Sequence, residues 1–353
     1  MSLYDSKLWI SDINEITKTL PELEVLEGKS ILVTGCTGLI CSAVIDVLIQ
    51  WNLRHESKII ILAAGRNKDK ITKRFDHYCK ENWFIYVPYD ATSTENSISL
   101  PCDFIIHGAS NASPNKIVKE PVETMMSNFT GTKTLLDYAR INNTKRILFI
   151  SSSEVYGKKT HNNPNKINEY GGIDILNPRN SYSVGKCAAE TLCASYYDEY
   201  GLDTVIVRPG HIYGPSADET DNRVSSAWAY AVARGEDIIM KSDGKQIRSY
   251  CYCLDCASAL IKVLLKGEAA KAYNISNPES IINIREMAEI LKDSAGVDLK
   301  IEAPNECEKK GFNPMSNSSL DSSELLALGW EGVFSAERGL AHTVQILKES
   351  MVI

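Results

Sequence analysis

The stretch that decides the fold is Ser30-Ile31-Leu32-Val33-Thr34-Gly35-Cys36-Thr37-Gly38-Leu39-Ile40-Cys41. A short apolar strand runs into a glycine-bearing turn. Ile40, Ala43, Val44, Val47, Leu48 and Trp51 then recur at helical spacing, so a helix follows at once. A strand, a tight turn and a helix in this order suit a pyrophosphate. Gly35 permits the turn, Gly38 lets backbone approach the anion, and the positive helix end attracts it. The third glycine position of such turns holds Cys41, small enough for the turn to adjust to it.

Further along, apolar runs at 58–64, 83–87, 103–107, 146–150 and 202–208 read as strands, with helices predicted over 121–141, 181–200 and 284–295. Most strands are continuous apolar runs rather than alternating ones, which indicates a parallel sheet buried on both faces. The fold class is therefore α/β, a Rossmann-type doubly wound sheet with a smaller C-terminal substrate-binding lobe. Residues 1–27 read as an added helical arm and 28–208 as the dinucleotide-binding domain. Residues 209–353 read mainly as the substrate lobe, with 246–265 returning to the main sheet. No repeat or low-complexity tract is evident.

A net charge of −7, with both signs scattered and no basic block, argues against a nucleic-acid or anionic-membrane surface. The first thirty residues lack the apolar core of a signal peptide, and the longest apolar runs are strand-sized. With ten cysteines, a cytoplasmic protein with reduced, mostly buried thiols is expected. Cys251, Cys253 and Cys256 lack the second pair that a structural zinc site needs, so no metal is expected.

Tyr182-Ser183-Val184-Gly185-Lys186 puts a phenol and an amine four apart on one helix face. A free tyrosine, with a pKa near ~10, is a poor base at neutral pH. A neighbouring ammonium and a positive nicotinamide ring favour the phenolate. Tyr182 then accepts a hydroxyl proton as hydride leaves for the cofactor. Lys186 also reaches the nicotinamide ribose. Ser151-Ser152-Ser153, after the fifth strand, brings a hydroxyl to the same substrate oxygen. The second strand ends Gly65-Arg66-Asn67, where an acid for the adenosine ribose is usual. An arginine there suits a 2′-phosphate and leans the cofactor from NAD toward NADP, the alternative being a solvated surface arginine. Asp90-Ala91 is placed to meet adenine.

Together with Ser152-Ser153-Glu154-Val155-Tyr156-Gly157 and Arg208-Pro209-Gly210-His211-Ile212-Tyr213-Gly214-Pro215, these motifs resemble the extended short-chain dehydrogenase/reductases. That group includes nucleotide-sugar epimerases, dehydratases and decarboxylases. The resemblance covers about 26–330 and implies Ser152 as the catalytic hydroxyl, Tyr182 as base and Lys186 as its partner. It implies a cofactor path along Gly35, Thr37, Gly38, Leu39, Ile40, Arg66, Asp90 and Ala91. The path continues through Gly108, Ala109, Ser110, Asn128, Pro209 and Ile212. Ser153, His211 and Arg248 face the substrate. Arg248 matches an arginine that grips the nucleotide diphosphate, the alternative being a surface ion pair. His211 stands where a substrate-binding asparagine is frequent, the alternative being a plain loop residue. A homodimer is also implied, through the helix carrying Tyr182 and the one before it. Leu135, Leu192, Cys193 and Tyr196 line that seam or else belong to the core.

The group shares a first step, oxidation of a ring hydroxyl, commonly at C4. The 4,6-dehydratases carry Asp then Glu after the catalytic hydroxyl, and here Ser153 stands in place of that Asp. Ser153-Glu154 resembles the UDP-glucuronate decarboxylases, with Glu154 in the catalytic set. So do His107-x-Ala109-Ser110-x-Ala112-Ser113-Pro114, Pro121-x-Glu123-Thr124 and Arg248-Ser249. A 4-epimerase, a 4,6-dehydratase, a reductase consuming external NADPH and a non-catalytic dinucleotide sensor are the alternatives.

Overall fold

The computed structural model describes residues 2–351 apart from Ser97, Thr160 and 305–314. The first long helix, α1 (Lys7–Lys18), is capped by Ser6 and buries Trp9, Ile13 and Ile16 on one face. Then follow β1 (Ser30–Thr34), α2 (Leu39–Asn52), β2 (Ile60–Gly65), α3 (Lys68–Arg74), β3 (Phe84–Pro88) and β4 (Phe104–His107). The next elements are α4 (Pro114–Lys119), α5 (Pro121–Ile141), β5 (Arg146–Ile150), α6 (Ser181–Tyr200) and β6 (Thr204–Pro209). Shorter elements come after: β7 (His211–Tyr213), α7 (Val224–Ala233), β8 (Ile238–Met240), β9 (Ile247–Tyr252), α8 (Cys253–Lys266) and β10 (Ala272–Ile275). The last are β11 (Ile281–Asn283), α9 (Ile284–Ala295), β12 (Leu299–Ile301), α10 (Ser323–Leu326) and α11 (Ala336–Met351).

Seven parallel strands form the main sheet in the order β3-β2-β1-β4-β5-β6-β10. One core packs α1, α2 and α8 against residues such as Ile31 and Val33. The other packs α5 and α6 against Leu32 and Ile105. Successive strand residues are thus buried on opposite faces, which explains the unalternating apolar runs. The chain steps outward from β1 to β3, then crosses to β4 on the other side of β1. This order opens a crevice at the carboxyl ends of β1 and β4, where Thr34 and His107 pair in register.

One expectation needs correction. The return to the main sheet is not made by the strand within 246–265. Both edges of β9 are already paired, to β7 and β11 in a small three-stranded sheet. From that stretch α8 packs on β5 and β6, and the strand that joins the main sheet is β10. The N-terminal helical arm packs closely on the domain. Trp9 is fully buried, Tyr4 Oη donates to Asp46 at 2.5 Å, and Tyr252 Oη donates to Asp12 at 3.1 Å. Of the suggested seam residues, Leu135, Cys193 and Tyr196 belong to the core, and Tyr196 Oη donates to Asp137 at 2.6 Å.

Among the described residues no helix is long and apolar enough to cross a membrane, and no cluster of His, Cys, Asp or Glu could hold a metal. Cys251, Cys253 and Cys256 are completely buried, unpaired thiols.

Candidate active site

The carboxyl end of β1 runs straight into the glycine turn. Gly35 has φ 68°, and a Cβ there would lie 2.9 Å from the backbone of Gly108 and Ala109. Conformation and space therefore both demand glycine. Gly38 N donates to Gly35 O at 2.8 Å, and Gly38 begins α2 with no side chain among the described residues bonded to the first-turn amides. Those amides are left for another partner at a positive helix end, beside the partly exposed Thr37, Leu39 and Ile40.

Across the crevice, Thr34 Oγ1 accepts from Gly108 N at 3.2 Å and Ala109 N at 3.3 Å. Its own proton is then free for His107 Nδ1, 2.7 Å away. This leaves the His107 Nε2 proton without a partner among the described residues. Burial, aided by the Lys186 charge, pulls this imidazole down to about 3, so it stays neutral.

At the other end of the crevice Arg66 is exposed just past β2, with no carboxylate at ion-pair distance among the described residues. Burial tends to raise the Asp90 carboxyl. Hydrogen bonds from Thr92 N and Oγ1, at 2.9 and 2.8 Å, and the Arg66 charge hold it below its usual range. Ala91 abuts α5 where a Cβ on Gly131 would lie 2.9 Å from it.

The helices α5 and α6 cross closely at Gly185, where a Cβ would stand 3.3 Å from Asn128 Cβ and Met125 Cα. Asn128 is buried; its Oδ1 accepts from Ser110 Oγ at 2.9 Å and its Nδ2 donates to Thr124 O at 2.8 Å. Tyr182 and Lys186 share the buried face of α6. Lys186 Nζ donates to Ile150 O at 2.6 Å and lies 5.8 Å from the centre of the Tyr182 ring. Burial pulls Lys186 down to about 7, with Glu190 opposing. Burial pushes Tyr182 up to about 12, Glu154 adds to this, and a hydrogen bond to Ser152 and the Arg223 charge oppose it. The amine is engaged with a carbonyl, and further positive charge is needed to make Tyr182 a base.

Ser152 begins a single helical turn, Ser153–Tyr156, and its Oγ accepts from Glu154 N at 3.1 Å. Glu154 Oε2 accepts from Ser183 Oγ at 3.1 Å and lies 3.9 Å from Arg179 Nη1. The sequence reading passed over Ser183, Arg179 and Arg223. The first two flank Tyr182 in the chain, which was the available signal.

Pro209 ends β6 and is buried, as is Ile212, a core residue. His211 opens β7, so it is not a plain loop residue. It is half-buried, its ring centre is 5.7 Å from that of Tyr250, and burial pulls it down to about 3. Its Nδ1 has no partner among the described residues. Arg248 is only 4% exposed, so it is no surface ion pair. Its Nη1 donates to the carbonyls of Ile247 at 2.9 Å and Met315 at 3.1 Å. No carboxylate lies at ion-pair distance among the described residues. A buried cation in that state favours an anionic ligand.

The family model described as the NAD dependent epimerase/dehydratase family matches residues 31–276. UDP-glucuronic acid decarboxylase 6 of Arabidopsis thaliana is 31% identical over 313 residues, 88% of this chain and 86% of that protein. UDP-glucuronic acid decarboxylase 1 of Xenopus tropicalis is 27% identical over 340 residues, 95% of this chain and 76% of the other. The crystal structure of a UDP-glucose 4-epimerase from Thermotoga maritima superposes with a TM-score of 0.76, covering 92% of this chain and 100% of that one. At 22% identity, that last likeness is one of fold.

Proposed function

The chain belongs to the NAD dependent epimerase/dehydratase family, and we propose that it decarboxylates UDP-glucuronate through a transient 4-keto sugar. The observation that carries this reading is the setting of Glu154. Its carboxylate influences Tyr182 and is bonded to Ser183, while Ser153 stands where a dehydratase keeps its acid. The likeness to chains named UDP-glucuronic acid decarboxylase supports the same choice.

The residues present fit a nicotinamide dinucleotide. The Gly35 turn has room for backbone but not for a Cβ, and the α2 amides lack a side-chain cap. When bound, the nicotinamide supplies a reversible hydride acceptor facing the sugar. Gly35, Thr37, Gly38, Leu39 and Ile40 would hold the pyrophosphate, Asp90 and Ala91 the adenine, and Lys186 the nicotinamide ribose. Arg66 in place of an acid supports NADP over NAD. Titration of both dinucleotides into Arg66→Ala tests this, with NADP binding selectively weakened.

Tyr182 takes the 4-hydroxyl proton while Ser152 holds the same oxygen. The 4-ketone makes the uronate a β-keto acid, which loses carbon dioxide readily. The negative charge that develops on the C4 oxygen meets the Tyr182 and Ser152 hydroxyls. Glu154 serves proton transfer at this site, and Arg248 pairs with the diphosphate. We place the enzyme in the cytoplasm, where its unpaired thiols stay reduced. It dimerises through the outer faces of α5 and α6, where Val122, Met126, Phe129, Tyr197 and Tyr200 are exposed.

The test is product analysis by mass spectrometry and NMR after incubation with UDP-glucuronate, UDP-glucose and UDP-N-acetylglucosamine. Carbon dioxide loss from UDP-glucuronate alone supports the proposal. Unchanged mass with inverted stereochemistry moves the assignment to an epimerase, and loss of water to a dehydratase. Stoichiometric consumption of NADPH marks a reductase, and no turnover marks a sensor.

A further inference from the structure

Where β1 and β4 end, one buried hydroxyl serves three partners. Thr34 Oγ1 accepts from Gly108 N at 3.2 Å and from Ala109 N at 3.3 Å, and lies 2.7 Å from His107 Nδ1. A hydroxyl has two lone pairs and one proton. With both lone pairs facing amides, the proton goes to His107 Nδ1, so the imidazole carries its own proton on Nε2. That N–H is buried with no partner among the described residues. The opposite tautomer would bring a third donor to Thr34 Oγ1, displace one amide and leave the hydroxyl proton unpaired. One orphaned N–H is the smaller cost. The two amides belong to a wall of the cofactor crevice. A Cβ on Gly35 would lie 2.9 Å from the backbone of Gly108 and Ala109, so the glycine turn and this wall stand too close for any side chain between them. One residue on, Ser110 Oγ donates to Asn128 Oδ1 at 2.9 Å and ties the same wall to α5.

We propose that His107 is a positioning residue for the dinucleotide. Held as the Nε2–H tautomer, it turns the Thr34 hydroxyl so that both lone pairs grip the Gly108 and Ala109 amides, and so sets the width of the crevice beside Gly35. This rests on the reading that a dinucleotide lies in that crevice. His107 acts through Thr34, not by contact with the cofactor. Its ring stands edge-on to Tyr89, with centres 6.3 Å apart, and 5.8 Å from the centre of the Phe149 ring. A ring that only filled the space between those two aromatics would do so in either tautomer, and would have no need of the Thr34 hydroxyl.

The test starts on the wild type, so it does not depend on any variant folding. With ¹⁵N-labelled histidine, His107 should show an unprotonated Nδ1 and a protonated Nε2 at neutral pH, its signals being identified by their contacts with the Tyr89 ring. A protonated Nδ1 overturns the proposal. Leucine removes the acceptor and keeps the bulk, so His107→Leu should weaken dinucleotide binding about 10-fold by calorimetric titration. His107→Asn, whose Oδ1 can take the same proton, should recover most of that loss. Thr34→Val should weaken binding at least as much, and adding His107→Leu to it should cost little further. Undiminished binding in His107→Leu, or losses that add in the double variant, would show that the ring only fills space. Hydrogen exchange of the Ala109 amide reads the same wall without cofactor. It should quicken in His107→Leu, and an unchanged rate overturns the proposal. Wild type that binds neither NAD nor NADP would sink the cofactor reading, while the tautomer and the Ala109 exchange still decide this one.

Discussion

Cys41 Sγ lies 2.3 Å from the point where a Cβ on Gly108 would stand. The third glycine that such turns usually keep is missing, and a glycine just past the neighbouring strand β4 makes room for the thiol instead. Helix α2 and strand β4 can then pack at the short distance the dinucleotide turn needs. Gly108→Ala should weaken dinucleotide binding at least ~10-fold, about 1.4 kcal/mol, by pushing α2 away from β4. Cys41→Ala should change little, and Cys41→Ala/Gly108→Ala should recover much of the loss. Calorimetric titration of the three variants reads that coupling; an equally weak double variant would show that the clash lies elsewhere.

Arg248 gives a prediction about substrate binding. Its buried guanidinium has only carbonyl partners among the described residues, so it is organised for an anion before one arrives. Arg248→Ala should raise KM for the nucleotide sugar by at least ~30-fold, about 2 kcal/mol, and lower kcat much less. Lysine should rescue poorly, since an ammonium cannot make the planar two-point contact. A large fall in kcat with unchanged KM would place Arg248 in the chemistry instead.

The glycine turn, six of the seven main strands, and the helices over 121–141, 181–200 and 284–295 were legible in the sequence. Each is fixed by a local pattern: an apolar run, a helical period or a residue that only a turn requires. The strand β10 was missed because Ala272-Tyr273-Asn274-Ile275 is short and carries a buried asparagine. Asn274 Nδ2 bonds to the carbonyls of Asn165 and Asp321, a tertiary reason that no window of sequence displays. The site showed the same divide. Tyr182, Lys186 and Ser152 stand in motifs, whereas the bonds from Ser183 to Glu154 and from Arg208 to Glu190 exist only once α6 packs beside β5 and β6.

Two buried groups predict opposite slopes of stability with pH. His107 is held at about 3, far below its unfolded value near ~6.5. The folded state binds fewer protons, so the stability this group supplies is present above pH ~6.5 and lost as pH falls toward 3. Asp255, which accepts from Val333 N and Phe334 N, is raised by burial to about 7. Its contribution is present below its unfolded value near ~3.9 and is lost as pH rises through about 7. Each amounts to roughly 4–5 kcal/mol at most. Urea unfolding between these limits should show His107→Gln losing less stability on acidification than wild type. Asp255→Asn should lose less on the way up. Parallel profiles for all three proteins would refute both assignments.

The N-terminal helix should be integral to stability. Trp9 is fully buried, with its ring centre 6.5 Å from that of Tyr252 on β9. Trp9→Ala should cost about 3–5 kcal/mol, measured by urea unfolding, with kcat preserved in the folded fraction. A loss below ~1 kcal/mol would mean that the helix only rests on the domain.

On the proposed function, Tyr182 works with a bound dinucleotide to decarboxylate a nucleotide-linked uronate. The most direct measurement is ¹³C NMR of UDP-glucuronate labelled at C6, with wild type and Tyr182→Phe compared at equal dinucleotide occupancy. Wild type should release labelled carbon dioxide and an unlabelled pentose nucleotide, with the rate at least ~100-fold lower in the variant. Retention of the label in every product of wild type, or release of carbon dioxide undiminished in Tyr182→Phe, would contradict it.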